Sequence, residues 1–195
     1  MKEYYEARAP EYDDWWNGTG LFAERERPGW EDERDSLIET LRGLSPGRTL
    51  DVACGTGYLT QHLPGRIVGL DASPTALRIA AQRIPEASFV ESDALRLPFE
   101  QATFDRVFTS HFYGHLEEVE RGRFLAEAER LAPELVVVDA SRAHAPVDEE
   151  YQPRILNDGS HWTVYKRYFT GARLAAELGG GEVLHDGRWF VVVQA

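Results

Sequence analysis

Sulfur, positive charge and long apolar runs are all scarce in this 195-residue chain, which contains one cysteine, Cys54, and one methionine. A single cysteine cannot form a disulfide within the chain, and it excludes a zinc site built from several thiolates. No apolar run is long enough to span a bilayer, and no basic leader precedes an apolar stretch. We therefore expect a cytoplasmic protein with no membrane partner and no metal site.

The shortage of basic residues also restricts the partners. Lysine and arginine number 21 against 33 aspartates and glutamates, which gives a formal net charge of -12. Because phosphate backbones are bound by a surplus of lysine and arginine, this balance predicts no nucleic-acid partner. The length and the 43% hydrophobic content predict one substantial core in a single domain. We expect a monomer or homodimer that acts on a small-molecule substrate.

The most informative stretch, Leu50–Thr60, is an apolar run broken by Gly55 and Gly57. It predicts a strand, a tight turn and a helix start, where glycines allow close backbone approach and free amides can donate to a nucleotide-like ligand. A second short apolar strand, Ile67–Asp71, ends in a carboxylate about 20 residues after Asp51, a position where an acidic side chain can bind both hydroxyls of a ribose.

These motifs resemble the class I S-adenosylmethionine-dependent methyltransferases. The resemblance implies that Asp51 faces the methionine ammonium, that the loop backbone lies along the methionine and ribose, and that Asp71 binds the ribose. It implies S-adenosylmethionine (SAM) as methyl donor and S-adenosylhomocysteine (SAH) as product. The positions that it assigns to the cofactor here are Asp51, Ala53, Cys54, Gly55, Gly57, Asp71 and Ala72.

Two alternatives remain open. An NAD-linked oxidoreductase would use a similar loop, but its third glycine would fall at position 60, which is Thr60. A SAM-binding module without turnover would carry the same cofactor residues as an enzyme, so the sequence leaves it open.

Further strand ends extend the expected site. Ala87–Glu91 predicts a strand followed by Asp93 and Ala94, to which the resemblance assigns the adenine, although Asp93 also suits a cap on the next turn. Thr103–Ser110 predicts the fourth strand, with Ser110 at its cofactor end. Ligands of open α/β sheets bind beyond the carboxyl ends of the strands, where all these residues fall.

The periodicity predicts alternating strands and helices from position 49 to 139. It indicates helices at 73–83, at 117–131 with Val119 on the buried face, and at 170–178, then a hairpin turning at Asp186–Gly187, whereas 142–168 is predicted to be an irregular insertion. The resemblance implies a Rossmann-like three-layer α/β/α sandwich with a seven-stranded, mostly parallel sheet in the order 3-2-1-4-5-7-6, strand 7 antiparallel. Within one domain, 1–195, we expect an N-terminal helical lid region at 1–45, a cofactor-binding core at 46–140 and an acceptor-side part at 141–195.

Aromatic residues are concentrated before the first strand. The resemblance implies a lid here, with Tyr5 and Tyr12 as the residues that close over the sulfonium, a cation that aromatic faces attract. Simple packing of these rings against the core is the alternative.

The segment 154–169 is basic and aromatic within an acidic protein. It could cover an acceptor pocket and favour an anionic or carbonyl-bearing acceptor through its arginines and lysine, Lys166 among them. An edge strand at 163–168 with its charges in water fits the alternation equally. The candidate acceptor-binding residues are Tyr113, Arg154, His161 and Tyr165.

Methyl transfer from a sulfonium is an in-line displacement, so positioning the nucleophile supplies much of the acceleration. A base is needed only when the acceptor is protonated. His111 is the first candidate base, with His115 and then His161 in reserve, because the ordinary pKa of histidine lies near neutrality. The predicted function is methyl transfer from SAM to an oxygen or nitrogen of a small molecule.

Overall fold

The computed structural model describes residues 2–195, and its centre is a seven-stranded sheet of order β3-β2-β1-β4-β5-β9-β8. The strands are β1 (Gly47–Val52), β2 (Gly65–Asp71), β3 (Ser88–Glu91), β4 (Arg106–Ser110), β5 (Glu134–Ala140), β6 (Glu149–Ile155), β7 (His161–Arg167), β8 (Glu182–Asp186) and β9 (Phe190–Gln194). The strands β1 to β5 are parallel, whereas β9 pairs antiparallel with both β5 and β8. This order and the antiparallel final strand confirm the predicted Rossmann-like sheet.

Local signals set the helix starts. The helices are α1 (Lys2–Arg8), α2 (Asp14–Asn17), α3 (Trp30–Arg42), α4 (Pro74–Arg83), α5 (Glu118–Leu131) and α6 (Gly171–Glu177). Ser73 caps α4, Glu117 forms a capping box with Glu120 at the start of α5, and Thr170 caps α6. The three predicted helices are therefore found, but Val119 is 67% exposed. It lies five residues before the buried Phe124, which places it about 140° around the helix.

The connection between β1 and β2 contains no α-helix, so the predicted helix start after Gly57 is wrong. The helical structure in this connection is one 3-10 turn, Thr60–His62. Leu63 adopts an extended backbone because Pro64 follows it and disfavours the helical conformation. The strands are joined by turns alone, and no helix N-terminus supplies amides to the loop.

The predicted irregular insertion is instead an antiparallel hairpin of β6 and β7, with Tyr151 opposite Tyr165. The edge-strand alternative for 163–168 is correct in conformation, but its charges are not in water. Lys166 and Arg167 are only 5% and 7% exposed, because they pair with Asp139 and Glu177 of the main fold.

The core lies on both faces of the sheet. Val137 points into the cluster under α5 and α6, whereas its neighbours Val136 and Val138 point into the cluster under α3. Strands buried on both faces read as continuous apolar runs, as β5 does. Among residues 2–195 no helix has the length and apolar character that a bilayer crossing requires.

Candidate functional site

The loop after β1 has the backbone of a ligand-binding turn. Ala53, Gly55 and Gly57 all have positive φ angles, of 60°, 55° and 76°. One oxygen of Asp71 accepts a hydrogen bond from the Gly55 amide at 2.9 Å, and the other accepts one from the Ser73 amide at 2.8 Å. Asp71 therefore holds the loops after β1 and β2 together at the carboxyl ends of their strands.

Asp51, beside this loop, has one carboxylate oxygen without a partner. The side chain is 1% exposed, and its Oδ2 accepts a hydrogen bond from the Thr60 hydroxyl at 2.6 Å. Its Oδ1 is buried with no hydrogen bond. Burial raises the pKa of Asp51 to about 8, and the nearby carboxylate of Asp71 contributes in the same direction. The arrangement fits a ligand that brings a positive charge to Oδ1.

The remaining predicted cofactor residues lie around the same strand ends, in different environments. Asp93 is exposed, and its Oδ1 caps the following turn by accepting a hydrogen bond from the Leu95 amide at 2.9 Å. Ala94 packs against the core, Ser110 ends β4, and Ala72 is half-buried beside Asp71. Cys54 is buried, and burial raises the pKa of its thiol. The adenine role of Asp93 stays a prediction, since the structure shows its capping bond.

The N-terminal segment covers the loop and is held there by two carboxylates. Glu6 accepts hydrogen bonds from the hydroxyls of Ser73 and Thr75 at the start of α4. Asp13 accepts one from the Thr56 hydroxyl at 2.6 Å and pairs with Arg83.

Tyr12 joins this cover to the loop. A Cβ built on Gly55 would lie 3.9 Å from the Tyr12 ring, so the ring rests on the glycine. Tyr12 also lines a cavity. Burial raises the pKa of Tyr12, which stays a neutral phenol.

The cavity has a volume of about 440 Å³ and lies between the N-terminal segment, the strand ends and the β6–β7 hairpin. The predicted residues that meet in its wall are Tyr5, Tyr12, His111, His115 and Arg154. Each of the five lies more than a hundred residues from at least one other member, so the fold brings together residues that are distant in sequence.

Two neutral histidines form part of this wall. His111 has a φ angle of 51°, lies against Trp15 with ring centroids 5.0 Å apart, and has an unpartnered buried Nε2. Nδ1 of His115 lies 2.6 Å from the Tyr165 carbonyl, so it carries the proton and leaves the lone pair on Nε2. Burial, reinforced by the charge of Lys166, lowers the pKa of each to about 3. Neither histidine is the near-neutral base that its ordinary pKa suggests.

Beneath the histidines lies a buried ion pair. Lys166 Nζ donates to Asp139 Oδ1 at 2.6 Å, and the Gly114 amide donates to Asp139 Oδ2 at 2.6 Å. The lysine holds the pKa of Asp139 below its usual range against the effect of burial. The pair fixes the hairpin to β5 and to the loop that carries both histidines.

The structure leaves three predicted acceptor residues outside the cavity. Tyr113 is 1% exposed and packs on Phe124 and Phe169, so it is a core residue. His161 is exposed at the start of β7, and the Tyr165 hydroxyl donates outward to Glu149.

Sequence reasoning missed several contributors, among them Thr60, Trp15 and Arg8. Thr60 holds Asp51, and Trp15 and Arg8 line the cavity. The polar residue at position 60 and the Trp15–Trp16 pair could have been identified from the sequence as candidate site residues. No sequence pattern around Arg8 indicates that it belongs to the site.

Comparison with known proteins identifies relatives of this arrangement. Residues 49–134 match a family model described as a methyltransferase domain. The demethylmenaquinone methyltransferase of Deinococcus radiodurans is 35% identical over 140 residues, which cover 67% of this chain and 55% of that protein. A phthiotriol/phenolphthiotriol dimycocerosates methyltransferase of Mycobacterium leprae is 40% identical over 98 residues, covering 45% and 34%. The chain spans 34 to 60% of the length of the curated relatives that it matches first.

Solved structures extend the similarity over the whole fold. A DhpI–SAH complex superposes with a TM-score of 0.73 at 27% identity, covering 99% of this chain and 93% of that one. A DhpI–SAM–HEP complex gives a TM-score of 0.76 at 25% identity, covering 98% and 94%.

Proposed function

Because the chain belongs to the class I S-adenosylmethionine-dependent methyltransferases, we propose that it transfers a methyl group from SAM to an oxygen or nitrogen of a small molecule. The observation that carries this proposal is the buried, unpartnered Oδ1 of Asp51 beside the glycine loop. A fully buried carboxylate oxygen without a donor is costly, and the ammonium of a methionine moiety would supply both the charge and the hydrogen bond.

The residues present fit this cofactor. Asp71 keeps lone pairs free for ribose hydroxyls after accepting its two amide bonds, and Asp93 keeps Oδ2 free for an adenine amino group. Tyr5 and Tyr12 would face the sulfonium, whose charge an aromatic face attracts by roughly 0.5 to 2 kcal/mol. When bound, the cofactor supplies an electrophilic methyl group.

The chain's own contribution to catalysis is positioning. The cavity wall would hold the acceptor beside the sulfonium, and alignment of two reactants supplies several kcal/mol of the barrier reduction. The neutral Nε2 of His111 and of His115 can accept a hydrogen bond from an acceptor, which would orient it. The small-molecule assignment is supported by the cavity volume and by the small-molecule names of the relatives.

Calorimetric titration with SAM, SAH and NAD in parallel tests the cofactor. We expect micromolar binding of SAM and SAH, no binding of NAD, and at least about tenfold weaker SAH binding in Asp71→Ala, since hydrogen bonds to a charged group are lost. Glu182→Gln, an exposed change at the far edge of the sheet, is the control. Binding of NAD alone would contradict the proposal.

Turnover separates an enzyme from a SAM-binding module. We expect SAH release with at least one member of an acceptor panel. Tight SAM binding with no release across that panel would favour the module.

A further inference from the structure

Arginines in the cavity wall lack carboxylate partners. Arg8 is 8% exposed and Arg154 is partly buried, and neither forms an ion pair with any described residue. Arg8 lies over the Tyr12 ring at 5.4 Å, and the hydrogen bond recorded for the Arg154 guanidinium goes to the neutral Gln152 side chain. Guanidinium groups withdrawn from water without an anion are costly, so their arrangement indicates a missing negative partner.

The rest of the cavity wall is also positively charged. Arg25 and Arg27 also line the cavity, and the carboxylate in its wall, Glu26, is exposed. Lys166 is neutralised by Asp139, so it adds little net charge. In a chain of net charge -12, a cavity with four unpaired arginines and one carboxylate is a local inversion of charge.

Arg8 and Arg154 belong to different elements. Arg8 ends α1 in the N-terminal segment, and Arg154 lies on β6 of the hairpin. They are close enough that Arg8, together with the larger effect of burial, lowers the pKa of Arg154. An anion between them would be held from both sides, in the forked geometry that guanidinium groups favour for carboxylates and phosphoryl groups.

We propose that the methyl acceptor is a small molecule bearing an oxyanion, a carboxylate or a phosphoryl group, that Arg8 and Arg154 bind, and that an oxygen of this group receives the methyl. This inference rests on the proposed methyl transfer and names its substrate class. A lone pair of the acceptor oxygen forms the new C–O bond while the C–S electron pair returns to sulfur. The acceptor loses one negative charge, the sulfonium loses its positive charge, and the product is a methyl ester.

The charge balance of this step explains why His111 and His115 need not act as bases. An oxyanion is already deprotonated, so no proton has to be removed and no general base is needed. His111 and His115 remain neutral in a wall of cations, where protonation would add like charge. Their place in the site is to orient the acceptor.

The test is binding to the SAH-loaded protein, measured calorimetrically with benzoate, phenyl phosphate and the neutral benzamide. We expect at least one of the two anions to bind and benzamide not to bind. Arg154→Gln and Arg8→Gln should each weaken that anion by about tenfold or more, the ratio for one lost hydrogen bond to a charged group. Arg154→Lys should retain part of the affinity, and Arg123→Gln, an exposed change on α5, should retain all of it. SAH affinity, measured for every variant, verifies folding.

The outcomes separate the two proposals. If SAH does not bind, the methyltransferase proposal fails. If SAH binds but neither anion does, if benzamide binds as well as the anions, or if both glutamine variants bind the anion normally, the oxyanion assignment is overturned. Preference for benzoate or for phenyl phosphate identifies the carboxylate or the phosphoryl class. With a turned-over carboxylate acceptor, a methyl group that alkali releases as methanol supports ester formation. With a turned-over phosphoryl acceptor, a methyl proton resonance that is coupled to phosphorus supports it. A methyl group that shows neither property contradicts it.

Discussion

At neutral pH, a carboxyl group with a pKa of about 8 is mostly protonated, and Asp51 is such a group in the cofactor-free protein. An approaching ammonium stabilises the ionised form and lowers that pKa. Thr60 prepares the group by donating to one oxygen and leaving the other free. In the proposed binding mode, Asp51 would therefore acquire its charge as the ligand arrives.

This coupling predicts a pH-dependent affinity. SAH should bind more tightly as the pH rises from 6 to 8, because less free energy is then spent on ionising Asp51. Asp51→Asn should weaken binding about tenfold or more at pH 8 and remove most of the dependence on pH. Titration calorimetry at pH 6, 7 and 8 measures both, with Asp32→Asn, an exposed change on α3, as control. A pH-independent affinity in the wild type would contradict the expected role.

At the residue scale, the sequence predicted what local motifs encode. Asp51, Asp71 and the glycine loop follow from strand ends and turn chemistry. The pKa values of His111 and His115 did not follow, because they depend on burial and on Lys166, which is distant in sequence. Tyr113 was assigned to the acceptor because it follows β4, but its ring turns into the core.

At the scale of elements, α1 and the turn after it form a short cover held by side chains rather than by an extensive helix interface. Its two anchoring carboxylates, Glu6 and Asp13, reach the start of α4 and the loop after β1. Hydrogen bonds to ionised groups contribute about 1.5 to 3 kcal/mol each, so a few bonds can set how long the cover stays closed.

We expect Glu6→Gln and Asp13→Asn to speed the dissociation of SAH by about tenfold each, because each weakens a charge-assisted anchor. Stopped-flow displacement measures the rate. Glu3→Gln is the matched control, since Glu3 is exposed on the same helix. Equal dissociation rates in all four proteins would show that the segment does not gate the cofactor.

The helices and the central strands were predicted because their signals are local. The missing helix after Gly57 and the hairpin at β6 and β7 were not predicted. The hairpin is held to the sheet by the ion pair of Lys166 with Asp139, which is distant in sequence. Pro64 favours an extended residue before it, but it gives no sign that turns alone join β1 to β2. From the sequence, Lys166 is predicted to be an exposed strand residue. Its burial becomes understandable only from the ion pair with Asp139 that the fold creates.

At the scale of the whole molecule, three regions of the chain meet beyond the carboxyl ends of the parallel strands. The loops after β1 and β2 form the proposed cofactor side, whereas the N-terminal segment and the hairpin enclose the cavity. Asp51, His111 and His115, which are buried and have shifted pKa values, lie in this region. The region therefore influences how the stability of the cofactor-free protein depends on pH.

His111 and His115 have depressed pKa values, so their contribution to stability is present above about pH 6.5 and is lost as the pH falls towards 3. Asp51 has a raised pKa, so its contribution is present at acid pH and is lost as the pH rises from about 4 to about 8. Among these three groups, the two histidines therefore oppose Asp51 below pH 6.5, and only Asp51 still titrates above it.

We expect the melting temperature of the cofactor-free protein to peak near pH 6.5 and to fall towards pH 8. Saturating SAH should move the peak upward, and Asp51→Asn should remove the fall. Calorimetric melting between pH 5 and 8 measures this. A melting temperature that rises steadily to pH 8 without ligand would contradict the assigned titration of Asp51.

Four of the five tryptophans lie within one aromatic cluster beside the cavity. Trp15 lies 4.6 Å from Trp16 and 4.7 Å from Trp30, and Trp30 lies 5.5 Å from Trp189. Indoles at such separations couple their electronic transitions and give an intense near-ultraviolet circular dichroism signal that depends on ring geometry. Three of them also line the cavity. The protein therefore contains its own optical reporter, in which a change of ellipticity would follow the filling of the cavity without any attached dye.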